Sequence, residues 1–172
     1  GSLGQAEAND MVAACIDQGI NFFDTANVYS AGDSETVLGR AIQGRRDKLI
    51  IATKVRGRMG DDVNEIGTSR RHIMSQVEAS LKRLDTDFID LYQVHCWDEL
   101  TPLEETLSTL NTLVTQGKVR YIGCSNYTAW QVERAMAISD RHGWARFETV
   151  QPWYSLVGRD IEVELVPVCR DH

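Results

Sequence analysis

Apolar runs rich in β-branched residues alternate along the chain with stretches whose apolar positions recur at helical spacing. The runs predict strands at Ile20–Asp24, Leu49–Lys54, Phe88–His95, Val119–Cys124 and Thr149–Gln151 with its flanks. In Ser69–Leu84, Ile73, Val77, Leu81 and Leu84 fall at i, i+4, i+8 and i+11, one face of a helix. Leu103, Leu107, Leu110 and Val114 make a second such face at i, i+4, i+7 and i+11.

Punctuation agrees with the period. Thr101-Pro102-Leu103-Glu104 offers a Thr N-cap, Pro at the first helical position and Glu at the third, and Thr128-Ala129-Trp130-Gln131 repeats the device. Gly19, Gly117 and Gly143 stand where a left-handed residue ends a helix. Arg56–Thr68, rich in Gly and Asp, has no clear period and predicts a mobile loop after a strand.

Strand, loop and helix in repetition mean a parallel sheet covered by helices. Five strands in 172 residues suit an open, doubly wound sheet of the flavodoxin type. A (β/α)8 TIM barrel needs about 250 residues. Length alone therefore favours the open sheet, and the chemistry-bearing residues reverse that preference.

The composition, 42% hydrophobic and 25% charged, is ordinary for a globular protein. A net charge of -7 weighs against nucleic acid or an anionic membrane as partner, though it leaves room for a small anionic ligand. No apolar run approaches the roughly 18–20 residues of a membrane span, and the start lacks the pattern of a secretory signal. Four dispersed cysteines without a C-x-x-C pair read as reduced thiols of a cytoplasmic protein. His95-Cys96 supplies at most two metal ligands with no evident source for the others, so no metal is expected. Gly1-Ser2, with no initiator methionine, and the stop inside a helical stretch at Val168–His172 read as cut ends.

In a parallel βα fold, side chains at the carboxyl ends of strands face the active site. Asp24, Lys54 and His95 end three consecutive predicted strands, and Tyr29 lies five residues past Asp24. Each alone has a plain structural reading: a turn cap, a solvated lysine, a core histidine, a packed ring. Four ionisable types at one rim are better explained by chemistry.

The segments around them are specific. Gly19-Ile20-Asn21-Phe22-Phe23-Asp24-Thr25-Ala26-Asn27-Val28-Tyr29 resembles the G-x-N-F-F-D-T-A-x-x-Y segment of the aldo-keto reductases. Ile51–Val55 resembles that family's lysine strand, and Asp90–His95 its D-L-Y-x-x-H strand. Gly117–Asn126 is similar to its G-K-[VI]-R-x-x-G-x-S-N stretch, and Gln151 occupies its strand-end glutamine position. Tyr154–Glu162 resembles a family loop in which Arg and Glu pair.

The resemblance implies an incomplete (β/α)8 barrel, a single partial domain over 1–172, and a catalytic tetrad of Asp24, Tyr29, Lys54 and His95. A phenol is a poor proton donor at neutral pH, and an ammonium beside it favours the phenolate. That is the part given to Lys54, with Asp24 orienting it and His95 either donating to the substrate oxygen as hydride arrives or sharing the proton with Tyr29. Asp24, Ser125, Asn126 and Gln151 are implied at the cofactor, NADP(H); Trp97, two residues past His95, is a candidate wall for the substrate by its place in the sequence. The absence of a G-x-G-x-x-G turn agrees with a barrel and counts against the open sheet.

Relative to eight βα units, the opening strand is missing or reduced to Gly1–Gly4, and the last two strands lie beyond the sequence given, with the segment that grips the adenosine 2′-phosphate. NADP over NAD is thus implied by the resemblance alone. A partial barrel exposes strand edges, which leaves an oligomer open. Two other readings compete with an aldehyde or ketone reductase: a redox-sensing regulatory β-subunit of the same family, and a non-catalytic flavodoxin-like binding module. The physiological substrate is not legible.

Overall fold

A computed structural model describes residues 4–172. The order is α1 (Gln5–Asp17), β1 (Phe22–Asp24), α2 (Asp33–Ala41), β2 (Ile50–Val55), α3 (Arg70–Leu84), β3 (Ile89–Val94), α4 (Leu103–Thr115), β4 (Val119–Ser125), α5 (Ala129–His142), β5 (Phe147–Gln151) and α6 (Leu165–Asp171). All five predicted strands are present, with no bound shifted by more than two residues. Of the expected opening remnant, Gly1–Leu3 lie outside the described residues, and Gly4 caps α1 rather than forming a strand.

Every neighbouring pair of strands is parallel, and their spatial order is β1-β2-β3-β4-β5. A doubly wound sheet reverses its order at a switch point; this one never does. The strands curl into a half-barrel, the front of an incomplete (β/α)8 barrel, and the open flavodoxin-type sheet is thereby set aside.

The period of two divides each strand between two faces. Ile51, Val55, Tyr92, Val94, Ile122 and Cys124 turn outward and are fully buried under the helices. Against them lie Ile73, Val77, Leu81 and Leu84 of α3, as the helical spacing predicts, and Leu103, Leu107 and Leu110 of α4. The last position of the α4 stripe is Leu113, with no exposure, rather than Val114, which is only half-buried.

Gly19, Gly117 and Gly143 take left-handed φ at helix ends as expected. Thr128 and Gln131 close a capping box on α5. The box expected at Thr101 does not form. Pro102 is the N-cap of α4, and the Thr101 hydroxyl instead donates to Asp98 Oδ2 at 2.8 Å. Asp98 already gathers Thr68 N and Leu100 N, so a carboxylate with several donors outcompetes a helix end for one hydroxyl. The Arg56–Thr68 loop is tied by Met59 N to Glu65 O (2.8 Å) and Gly67 N to Arg56 O (2.9 Å).

Beyond β5 the apolar side chains of Trp153, Tyr154, Leu156 and Val157 are exposed. Within this segment Arg159 pairs with Glu162 at 2.8 Å, and the Tyr154 hydroxyl donates to the same carboxylate. No helix among the described residues is long and apolar enough to cross a membrane.

Candidate active site

The inner face of the half-barrel is set by register. Asp24 stands opposite Ala52, Lys54 opposite Gln93, Gln93 opposite Gly123, and Ser125 opposite Gln151. Residues two apart on a strand share a face, so Asp24, Lys54, Gln93, Ser125 and Gln151 all look inward at the carboxyl ends of β1 to β5. His95 follows Gln93 by two residues, just past β3, where its backbone N–H donates to Val55 O at 2.9 Å.

At the centre is a buried ammonium. Lys54, 1% exposed, places Nζ 2.5 Å from Asp24 Oδ2 and 2.9 Å from Thr25 O. An ion so fully removed from water persists only with partners this close. Asp24 keeps 28% of its side chain open to solvent. Its Oδ1 accepts from Gln93 Nε2 at 3.3 Å and its Oδ2 from Gln151 Nε2 at 3.4 Å.

Over this pair sit the two rings. The Tyr29 ring centroid is 5.3 Å from Lys54 Nζ, and the His95 ring meets Tyr29 edge-on with centroids 5.6 Å apart and planes at 79°. Tyr29 is 42% exposed. It opens a short 3-10 turn, Tyr29–Gly32, within which Ser30 (φ 49°), Ala31 (φ 52°) and Gly32 (φ 101°) are consecutive left-handed residues. At the two non-glycine positions, Ser30 and Ala31, this conformation is costly and is held only by its surroundings. Arg83 is part of them: a Cβ on Gly32 would lie 2.7 Å from Arg83 Cδ. The structure thus gathers Asp24, Tyr29, Lys54 and His95 around one point. Burial, then the charge of Lys54, hold the His95 imidazole below its ordinary pKa, with Asp24 pulling the other way. His95 is a neutral ring at neutral pH.

Ser125, Asn126 and Gln151 form one cluster on the neighbouring strand ends. Ser125 Oγ donates to Gln151 O (2.8 Å), Asn126 N to Gln151 O (3.1 Å), and Asn126 Nδ2 to His95 O (3.0 Å). Asn126 adopts φ 56°, a left-handed conformation that asparagine tolerates better than most residues. Trp97 is half-buried between Tyr127 (5.3 Å) and Trp130 (5.4 Å). It lines a cleft on the same rim with Arg56, Cys96 and Asn126.

Two residues of the motifs did not stand out in the sequence. Gln93 contacts Asp24 directly, and the signal was available: it precedes His95 by two on a strand. Asp90, in the same D-L-Y-x-x-H run, has the opposite parity. Its carboxylate accepts from Ile51 N (2.9 Å) and pairs with Arg46 (2.7 Å), so it clasps β2 to β3 away from the site. All four cysteines are free, and no cluster of metal-ligating side chains occurs among the described residues.

A half-barrel of sequential parallel strands, with an aspartate-paired lysine beneath a tyrosine and a histidine, defines a family. The chain belongs to the aldo/keto reductase family, whose model matches residues 1–172. Among similar proteins, an aldo-keto reductase of Bacillus subtilis, YhdN, is 38% identical over 100% of this chain and 51% of its own length. Versiconal hemiacetal acetate reductase of Aspergillus parasiticus is 36% identical, covering 98% of this chain and 55% of the relative. Norsolorinic acid reductase B of the same species is 39% identical over 95% and 46%. The chain spans about half the length of the curated relatives it matches.

Proposed function

We propose that this chain carries the reaction centre of an NADP(H)-dependent aldo-keto reductase, a cytoplasmic oxidoreductase that reduces aldehydes or ketones to alcohols. The observation that carries the reading is the buried Lys54–Asp24 pair at 2.5 Å with Tyr29 and His95 packed over it. A hydrolytic triad needs a nucleophile next to its base; this cluster has none, and suits a proton relay instead.

The strand-end amides fit a nicotinamide carboxamide. Asn126 Nδ2 and Ser125 Oγ are committed within the cluster, while Asn126 Oδ1 and Gln151 Oε1 accept no hydrogen bond among the described residues. Those two acceptors match the amide N–H groups of the ring substituent. When bound, the cofactor supplies the hydride. NADP rather than NAD is the family's habit and is part of the proposal.

Tyr29 donates the proton to the carbonyl oxygen as negative charge develops there. Lys54 stabilises the phenolate left behind, and Asp24 fixes the ammonium beneath the ring. His95, neutral, donates a hydrogen bond to the same oxygen and orients the substrate. Trp97 forms one wall for the substrate.

The test is consumption of NADPH with a simple aldehyde, followed by absorbance, in the intact protein. Tyr29→Phe is expected to lower turnover by about 10²–10⁴, the usual worth of general acid catalysis, with cofactor affinity little changed. Wild-type turnover in that variant removes Tyr29 from the mechanism. No turnover by the wild type, with NADPH still bound, favours the regulatory reading instead.

A further inference from the structure

The rim carries a cation that the proton relay does not use. Arg56 follows β2 directly, two residues past Lys54, with a backbone φ of 130°, a region L residues rarely enter. The loop closes on it through Gly67 N to Arg56 O at 2.9 Å, which holds the strained residue in place. Its guanidinium makes no ion pair or hydrogen bond among the described residues, and its Nε is buried without a partner. Arg58, two residues on, is by contrast engaged with its own loop through Gly60 O and Asp62 O.

The acids nearby leave Arg56 unneutralised. Asp98 lines the same cleft, but its oxygens accept from Thr68 N, Thr68 Oγ1, Thr101 Oγ1 and Leu100 N. Glu99, exposed at the cleft, makes no pair with Arg56. The cleft also holds Trp97 and Asn126, so it adjoins both the strand-end amides and the aromatic wall. The charge of Arg56 reaches the His95 ring, where it is one of the influences disfavouring protonation.

A guanidinium that is strained into position, free of protein partners and beside the reacting point offers a planar fork that matches a carboxylate. We infer that Arg56 is the receptor for a carboxylate borne by the carbonyl substrate, so that acidic aldehydes or ketones are preferred over neutral ones. The inference rests on the reductase reading above and adds the class of substrate. The Trp97–Trp130 edge suits an aromatic spacer between the two groups.

The experiment compares 4-carboxybenzaldehyde with its neutral methyl ester in the intact protein with NADPH, for wild type, Arg56→Gln and Arg56→Lys. Wild type is expected to favour the acid in kcat/KM. In Arg56→Gln the acid-over-ester ratio falls by at least about tenfold, about 1.4 kcal/mol, mainly through KM for the acid. Arg56→Lys, which keeps the charge without the fork, retains part of the ratio. A general folding or cofactor defect lowers both substrates together and leaves the ratio in place. A wild type without preference for the acid, or a ratio in Arg56→Gln within about twofold of wild type, overturns the inference while turnover of the ester leaves the reductase reading standing. Turnover of neither substrate by the wild type ends both.

Discussion

Replacing Lys54 with methionine isolates the centre of the site, because the stem keeps its volume while the ammonium disappears. Two contacts go: Asp24 Oδ2 at 2.5 Å and Thr25 O at 2.9 Å. Removing one partner of a fully buried pair costs about 3–5 kcal/mol. Here the surviving carboxylate is 28% open to water and keeps Gln93 and Gln151 at 3.3 and 3.4 Å, and burying the ammonium no longer has to be offset. Both corrections lower the cost, to about 2 kcal/mol. For a domain of 150–250 residues that is a fall in Tm of about 4–8 °C, measured by calorimetry. Asp24→Asn in the Lys54→Met background should recover part of it, a coupling of about 1–2 kcal/mol in a double-mutant cycle. Turnover should fall by about 10² or more, since no cation remains beneath the Tyr29 ring. Turnover within about threefold of wild type would refute the role of Lys54, and additive stability effects would refute the pairing.

Other consequences follow from single contacts. A Cβ at Gly39 would lie 2.6 Å from Leu84 O and 2.8 Å from Arg83 O, so Gly39→Ala must push α2 from α3. It should cost about 2–3 kcal/mol, read as a lower urea midpoint with unchanged slope. His72 and His95 are both held below the ordinary histidine value of 6.5, first by burial. Their folded forms refuse protons that the unfolded chain accepts, so stability is complete above pH 6.5 and is lost as pH falls from there through the lowered values. Chemical denaturation across that window should show the slope, and His72→Gln should flatten it. Gln93→Leu should lower kcat by about 3–10-fold and alter its pH profile, because Asp24 Oδ1 loses the one donor it has among the described residues; an unchanged profile would make Gln93 merely structural. Asn126→Ala should weaken NADPH binding in a fluorescence titration, and unchanged affinity would take Asn126 out of the cofactor site.

What was legible in the sequence is what depends on periodicity and on motif. The strands, the α3 face and the strand-end residues follow from spacing, since burial repeats at two and at 3.6. The choice between an open sheet and a barrel did not follow from spacing: length pointed the wrong way, the motifs reversed it, and the strand order agrees with the motifs. The Thr101 cap failed because propensity is local while Asp98 competes for the same hydroxyl from another loop turn. Gln93 and Arg56 were hidden for a different reason. Neither is unusual as a residue type, and each becomes conspicuous only through parity or through the absence of a partner.

That parity explains why core and chemistry are inseparable here. Ile51, Thr53 and Val55 face the helices with no exposure, and Ile50, Ala52 and Lys54 face inward. A slip of one residue would drive the Lys54 ammonium out under the helices, where the buried Glu35 carboxylate is already paired with Arg83, and would turn Ile51 and Val55 into the barrel. The packing of Ile51 and Val55 under the helices therefore fixes the position of the lysine together with its bond to Asp24. The same argument runs through β3, where buried Tyr92 and Val94 hold Gln93 inward and aim the chain so that His95 meets Tyr29. Substitutions under the helices, far from any substrate, should accordingly disturb turnover as well as stability, whereas changes at the exposed segment beyond β5 should leave this cluster as it is.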